Sequence, residues 1–147
     1  MADSMIVRSD WAEPDSVLAT YVSLMDQLIE PALPGIALSL TVDGLVVSGE
    51  LIPQWQWFAE VSEMNKNEDP FYTGMAEYVR EQSDLAHEAV KVRDAGLEVT
   101  HKQQLALSAP TRYIHLRNAQ IVDAAEGALW RGRLCDVSGW TPGITTV

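Results

Sequence analysis

The dipeptide Asp43-Gly44, set between two runs of mostly apolar residues, restricts the fold of this chain more than any other feature. Asp-Gly suits a two-residue hairpin turn in which both turn residues have positive φ. The turn predicts that Val42 pairs with Leu45, and it fixes the register of the strands on either side. A slip of one residue would expose the shared apolar face. We therefore predict an antiparallel sheet built on this hairpin.

Helical spacing marks one segment on each side of the hairpin. In residues 15–32, apolar residues recur at intervals of three and four, which predicts an amphipathic helix that Pro31 ends. Residues 71–95 show the same period over a longer stretch, with Gly96 placed to cap the C-terminus. Both segments have one apolar side, as helices that pack on a core do.

The segments that flank the long helix carry weaker patterns. In residues 53–64 the apolar side chains have a helical period, although Trp55 and Trp57 alternate as in a strand. We favour a short helix there, followed by a polar loop over residues 65–70. Residues 97–107 are predicted to include a strand, although the pattern that indicates it is weak.

Two further strands are predicted in the last third of the chain. The first, TRYIHLRNAQIV, leaves room for a bulge or kink at Asn118. The second, LWRGRLCDV, runs through Cys135 and places Gly132 on its apolar face, where another strand or a ring could approach closely. The dipeptides Ser138-Gly139 and Pro142-Gly143 then predict turns.

Together these elements predict a single α+β domain over residues 14–147, preceded by a flexible N-terminal tail over residues 1–13. The sheet would be small, twisted and mostly antiparallel, or a partly open barrel of the Sm-like or SH3-like kind. One helix would precede the first strand pair, and the long helix would be inserted between the two pairs. The Sm-like comparison is an analogy of fold, and a fold does not by itself fix a function.

The negative charge is concentrated in the first half of the chain. Residues 1–70 hold 12 acidic and 2 basic side chains, whereas residues 71–147 hold 9 and 8. A net charge of −11 repels polyanions, so nucleic acid is an improbable partner. The asymmetry is compatible with head-to-tail association of copies, and we expect a homo-oligomer. The plainer interpretation is a solvated acidic surface.

Residue types used by enzymes and metal sites are present without the spacing that those sites require. His87, His101 and His115 occur in no HExxH, HxH or CxxC arrangement, so no metal site is predicted. Glycine-rich phosphate-binding motifs and the GxSxG motif are missing. Cys135 is expected to be an ordinary half-buried thiol. We therefore expect no catalytic residues, no cofactor and no enzymatic activity.

Three observations bear on the compartment in which the chain works. No apolar run reaches the length of about 18–20 residues that spans a bilayer. The N-terminus lacks the basic and apolar segments of a secretory signal, and a single cysteine permits no internal disulfide. We expect a cytoplasmic protein that does not bind membranes.

Tryptophan and arginine residues are the best candidates for binding another protein. An exposed tryptophan gives a large contact area for little lost side-chain entropy, and we expect Trp130 to be the one in the core. The arginines near the second strand pair could bind an acidic partner or RNA phosphates, or pair with the chain's own carboxylates. The predicted interaction residues are Trp55, Trp57, Arg117, Asn118, Arg131, Arg133 and Trp140.

Three blocks of sequence carry a resemblance to a known family. They are YIHLRNA at residues 113–119, LWRGRL at residues 129–134, and VSGW at residues 137–140, followed by Gly143. These blocks resemble the C-terminal signature of the gas vesicle accessory protein U family (GvpU), and LSLTVDGLVVSGELI resembles its N-terminal strand pair. The resemblance implies a cytosolic, non-enzymatic protein that binds the vesicle shell or other accessory proteins. Such a protein would support the assembly or clustering of gas vesicles.

Two other functions remain open at the level of sequence. One is an Sm-like RNA-binding or ring-forming scaffold protein that uses the arginine residues, against which the net charge argues. The other is a small-ligand-binding domain or enzyme with a pocket near Glu50, His115 and Cys135.

Overall fold

The computed structural model describes residues 13–121 and 127–144. In chain order the elements are α1 (Ser16–Asp26), β1 (Ile36–Val42), β2 (Leu45–Leu51), α2 (Gln54–Met64), α3 (Pro70–Asp94), α4 (His101–Ser108), β3 (Tyr113–Ile121), β4 (Ala128–Arg133) and β5 (Val137–Pro142). A short 3₁₀ helix, Leu134–Asp136, joins β4 to β5. The predicted tail lies outside the described residues except for Glu13, and the assignment of residues 14–147 to a single domain stays a prediction.

The hairpin of β1 and β2 has the predicted register. Asp43 and Gly44 have φ values of 50° and 80°, as the two-residue turn requires. Val42 lies opposite Leu45, and the pairing continues without a shift to the far end of both strands. The local chemistry of the turn therefore sets the alignment of the first strand pair.

All five strands form one antiparallel sheet in the order β4-β3-β2-β1-β5. Its edge strands are joined by only a few residues, since β4 ends at Arg133 and β5 begins at Val137. A flat sheet would separate these edges by four strand spacings, about 19 Å. The link can span at most about 14 Å when fully extended. The sheet must therefore curl, although the described strands do not close it into a barrel.

This architecture confirms the predicted α+β fold with an N-terminal helix and a long helix between the two strand pairs. The likeness to Sm or SH3 barrels stays a prediction. One face of the sheet carries the core under α1, where the buried residues include Leu18, Val22, Met25, Leu38, Leu40, Leu51, Ile114 and Leu116. On the other face α2 contacts β3, α3 packs on α2, and α4 packs on α3.

The prediction that the first helix continues to residue 32 is wrong. Beyond the end of α1, the indole N–H of Trp55 donates to the carbonyl of Leu28 at 2.7 Å. Arg80 donates to the next carbonyl along the chain at 3.2 Å. Pro31 also disfavours the helical conformation in the residue that precedes it. Contacts with α2 and α3 thus replace the last predicted turn.

The short helix predicted after the hairpin is confirmed as α2, and the long helix is confirmed as α3. Asp69 caps the N-terminus of α3, where Pro70 occupies the first helical position. At the other end, Gly96 has a φ of 75° and its N–H donates to the carbonyl of Arg93 at 2.9 Å. The N–H of Leu97 donates to a carbonyl one residue earlier, which completes a Schellman motif.

Two predictions for the remaining segments are wrong. In place of the strand predicted within residues 97–107, helix α4 begins at His101, because Thr100 and Gln103 form a capping box that starts it. Residues 137–142 form strand β5 in place of turns, since they pair with β1 along the open edge of the hairpin. Cys135 lies in the 3₁₀ helix and not in a strand.

The backbone features predicted for β3 and β4 are present. Asn118 has a φ of 49°, and the pairing of β3 with β4 shifts register between Leu116 and Ala119, as a bulge requires. A side chain on Gly132 would meet the ring of Trp130 at 2.3 Å, so the glycine makes room for that ring. The predicted close approach at Gly132 is thus made by a neighbour on the same strand.

The packing of α1 on the hairpin can be tested with two leucines on the same face of the sheet. Leu40 is fully buried, whereas Leu45 is 52% exposed. We expect Leu40→Ala to lower the free energy of unfolding by about 2–5 kcal/mol because it leaves a cavity. Leu45→Ala should change it by less than about 1 kcal/mol. Urea denaturation measures both, and equal losses would contradict this core.

Candidate functional site

The predicted interaction residues lie in different parts of the molecule. Trp57, Arg117 and Arg131 surround His115 on the face of the sheet that α2 covers. Arg133 lies on the same face, next to the 3₁₀ helix. The other three, Trp55, Asn118 and Trp140, make separate contacts with α1, β2 or α3.

His115 is the centre of this face. Its side chain is fully buried, and its Nε2 accepts a hydrogen bond of 2.9 Å from Nε of Arg131. The rings of Trp57 and Phe58 on α2 lie 5.4 Å and 5.9 Å from the imidazole, centre to centre. Burial, helped by the charge of Arg131, lowers the pKa of His115 to about 3. A neutral imidazole that accepts at Nε2 carries its proton on Nδ1.

Arg131 connects this buried cluster to the surface. Its guanidinium carbon lies 3.7 Å from the centre of the Tyr113 ring and 5.5 Å from that of Phe58. Stacking on aromatic faces and the bond to His115 hold the side chain in place. The residue is nonetheless exposed. One side of Arg131 therefore supports the fold, and the other side is exposed to solvent.

Arg117 and Asn118 are tied into the sheet by acidic side chains. Nε of Arg117 lies 3.5 Å from a carboxylate oxygen of Glu60 on α2, at ion-pair distance but outside hydrogen-bond geometry. Asn118 donates to Glu50, which also accepts from the N–H of Gly35 at 3.1 Å. These contacts join the bulge of β3 to β2 and to the start of β1. They agree with the interpretation in which the arginines pair with the chain's own carboxylates.

Three buried donors on this face have no hydrogen-bond partner within the described residues. They are the indole N–H of Trp57, the Nδ1–H of His115 and the Nε–H of Arg117. A buried donor without an acceptor costs about 1–3 kcal/mol. All three lie where α2 covers β3, so this is the polar and costly part of the helix–sheet contact.

The other predicted anchors pack against their neighbours. Trp55 is half-buried, and the guanidinium of Arg80 lies 4.0 Å above its ring. Trp140 is also half-buried and meets the ring of Tyr21 edge-on at 6.3 Å. Arg133 makes two hydrogen bonds of 2.9 Å to Asp136 while remaining 51% exposed. Among the predicted residues, Asn118, Arg131 and Arg133 are the exposed ones.

Asp26 is a notable residue that the sequence analysis did not single out. It ends α1, and its Oδ1 accepts from the N–H of Gln54 at 2.9 Å, so it caps the start of α2. Burial raises the pKa of Asp26 to about 7, although the Gln54 N–H opposes the shift. The signal in the sequence that could have pointed to Asp26 is its position directly after Met25, which belongs to the apolar face of the helix.

Two grooves lie outside the His115 cluster. The first, which we call the Asp26 groove, has a volume of about 810 Å³ and runs between the end of α1, α3 and α4. The second, of about 710 Å³, lies between α2 and α3 and is lined by several carboxylates. Neither groove is lined by Glu50, His115 or Cys135, the residues of the predicted small-ligand pocket.

Metal-ligating side chains do not converge in the part of the chain that the structure describes. No group of three or more His, Cys, Asp or Glu residues there is placed to hold a metal ion. Cys135 is a free thiol. Within the same residues, no helix is both long enough and apolar enough to cross a membrane.

The fold and this site define a small α+β protein whose curled sheet is covered by helices on both faces and presents arginine side chains at one edge. The profile of the family described as Gas vesicle protein GvpU-like matches residues 15–145. The chain therefore belongs to the GvpU-like family, which confirms the resemblance seen in the sequence blocks. No curated protein matches the chain. No solved structure matches it either.

The pKa values of His115 and Asp26 shift in opposite directions on folding. We therefore expect their effects on the pH dependence of stability to largely cancel. The pKa of His115 falls on folding, so its stabilising contribution is present above pH 6.5 and is lost as pH falls towards 3. The pKa of Asp26 rises on folding, so its contribution is present below pH 3.8 and is lost as pH rises through about 7. Between pH 7 and pH 5 each contribution changes by about 2 kcal/mol, in opposite directions.

Single substitutions should reveal each contribution. On acidification from pH 7 to pH 5, the free energy of unfolding of His115→Gln should rise by about 2 kcal/mol relative to that of the wild type. For Asp26→Asn it should fall by about 2 kcal/mol relative to the wild type. Both replacements keep an oxygen that can accept the existing hydrogen bond. Urea denaturation at several pH values measures this, with Glu77→Gln as a control at an exposed position. Curves parallel to that of the wild type would contradict both shifts.

Proposed function

We propose that this chain is a non-enzymatic, cytosolic accessory protein of gas vesicles. It binds the vesicle shell or other accessory proteins, and it supports the assembly or clustering of vesicles. The observation that carries this proposal is the family match over residues 15–145. A second support is that the matched blocks meet in one sheet, because β2 of the N-terminal hairpin pairs with β3.

The edge of the sheet at β4 is the surface that we assign to partner binding. Arg131 and Arg133 are exposed there on an otherwise acidic protein, and the outer edge of β4 pairs with no strand among the described residues. Arginine is well suited to interfaces because its planar group binds carboxylates through two hydrogen bonds. The expected partner surface is acidic, on the shell, on an accessory protein or on another copy of this chain.

Replacement of Arg133 tests the binding surface without disturbing the His115 cluster. We expect Arg133→Glu to reduce co-sedimentation with purified gas vesicles by about threefold or more, since it reverses a partly exposed charge. Arg93→Glu is a matched control, because Arg93 is an exposed arginine on α3. Equal binding by Arg133→Glu and the wild type would place the binding surface elsewhere.

Deletion of the gene tests the function itself. In a host that makes gas vesicles, we expect its loss to change the yield or the clustering of vesicles, as seen by electron microscopy. Reintroduction of the wild-type gene should restore both properties. Unchanged vesicles, together with no co-sedimentation of the wild-type protein, would refute the proposal.

A further inference from the structure

The Asp26 groove has the dimensions and lining of a ligand site. Its volume of about 810 Å³ lies within the usual range for small-molecule pockets, about 300–1,000 Å³. Its walls are largely apolar, with Leu24, Leu28, Val79 and Leu107 among them. Such sites combine an apolar wall with a few polar groups that orient the ligand.

Asp26 is the polar group in this groove that most restricts the charge of a ligand. One of its oxygens accepts the Gln54 N–H, and the side chain also lines the groove. It sits at the C-terminal end of α1, where the helix dipole disfavours a negative charge. None of the described residues that line the groove is a lysine or an arginine. Among the described residues, no ion pair is formed by the Asp26 carboxylate.

We propose that the Asp26 groove binds an organic ammonium ion with an apolar body, whose ammonium group donates hydrogen bonds to the Asp26 carboxylate. The apolar body packs on the leucine and valine side chains of α1, α3 and α4. The net charge of −11 attracts a cation towards the protein. An anionic ligand would be repelled by both this net charge and Asp26, and a neutral ligand would leave the charge of the carboxylate without a counter-ion.

The affinity of the Asp26 groove for a cation should depend on pH. A bound cation favours the ionised form of Asp26, whose pKa lies at about 7, so affinity should fall as the pH decreases below that value. His87 and Tyr78, both on α3, are the other titratable residues described in the lining. A protonated His87 would also repel a cation. If Asp26 causes the loss of affinity at low pH, the His87→Gln variant should still show that loss.

The experiment compares two probes with the same apolar body, 4-phenylbutylamine and 4-phenylbutan-1-ol. Binding to the full-length protein is measured at pH 8 by calorimetry and located by changes in backbone amide chemical shifts. We expect the amine to bind more tightly than the alcohol and to shift amides of α1, α3 and α4. Asp26→Asn should weaken amine binding by about tenfold to a hundredfold, as loss of a charged hydrogen bond does.

The controls separate a specific site from general attraction. Glu77→Gln removes one negative charge outside the Asp26 groove and should bind the amine as the wild type does. Ala86→Phe narrows the groove from α3 and should weaken binding while leaving the carboxyl in place. Equal affinities for amine and alcohol, or unchanged binding by Asp26→Asn or Ala86→Phe, would overturn the proposal. No vesicle component is present, so the result is independent of the proposed accessory function.

Discussion

Pairing between β2 and β3 is the interaction on which the rest of the structure depends. It joins the N-terminal hairpin to the C-terminal strands, which are separated by α2, α3 and α4. The two strands approach closely at Gly49, where a side chain would meet the backbone oxygen of Arg117 at 3.0 Å. The register also shifts beside this glycine, opposite the bulge at Asn118. Close approach and bulge together bend the sheet, so that one short 3₁₀ helix can connect its two edges.

The helices between the two strand pairs bring polar chemistry to the second face of this sheet. The first face is an apolar core under α1, whereas the second buries His115 and the Nε–H of Arg117. The insertion also gives Asp26 its half-buried environment, because the start of α2 lies against the end of α1 and the N–H of Gln54 needs an acceptor. The environments of both titratable groups therefore follow from where α2 is placed. Their pKa values shift in opposite directions, so their effects on the pH dependence of stability largely cancel.

Features that depend only on neighbouring residues could be predicted from the sequence. The Asp43-Gly44 turn fixed one register, and Gly96 fixed the end of α3. The predictions that were wrong concern segments decided by distant partners. Residues 27–32 leave the helix because α2 and α3 bind their carbonyls, and residues 137–142 become a strand because β1 offers a free edge. Helix α4 is the exception, since its capping box at residues 100–103 is a local signal that is visible in the sequence.

The candidate site shows the same division between local and distant causes. Arg117, Arg131 and Arg133 were predicted as interaction residues from their position in the second strand pair, and the register places all three on one face of the sheet. Alternation could not predict that Arg131 would stack on Tyr113 and bind His115, since that depends on the register of β4 on β3, which puts Arg131 directly opposite His115. A side chain held in this way loses little further rotamer entropy when a partner binds its exposed side. The contacts that make Arg131 part of the fold would therefore lower the entropy cost of the partner binding that we propose for the β4 edge.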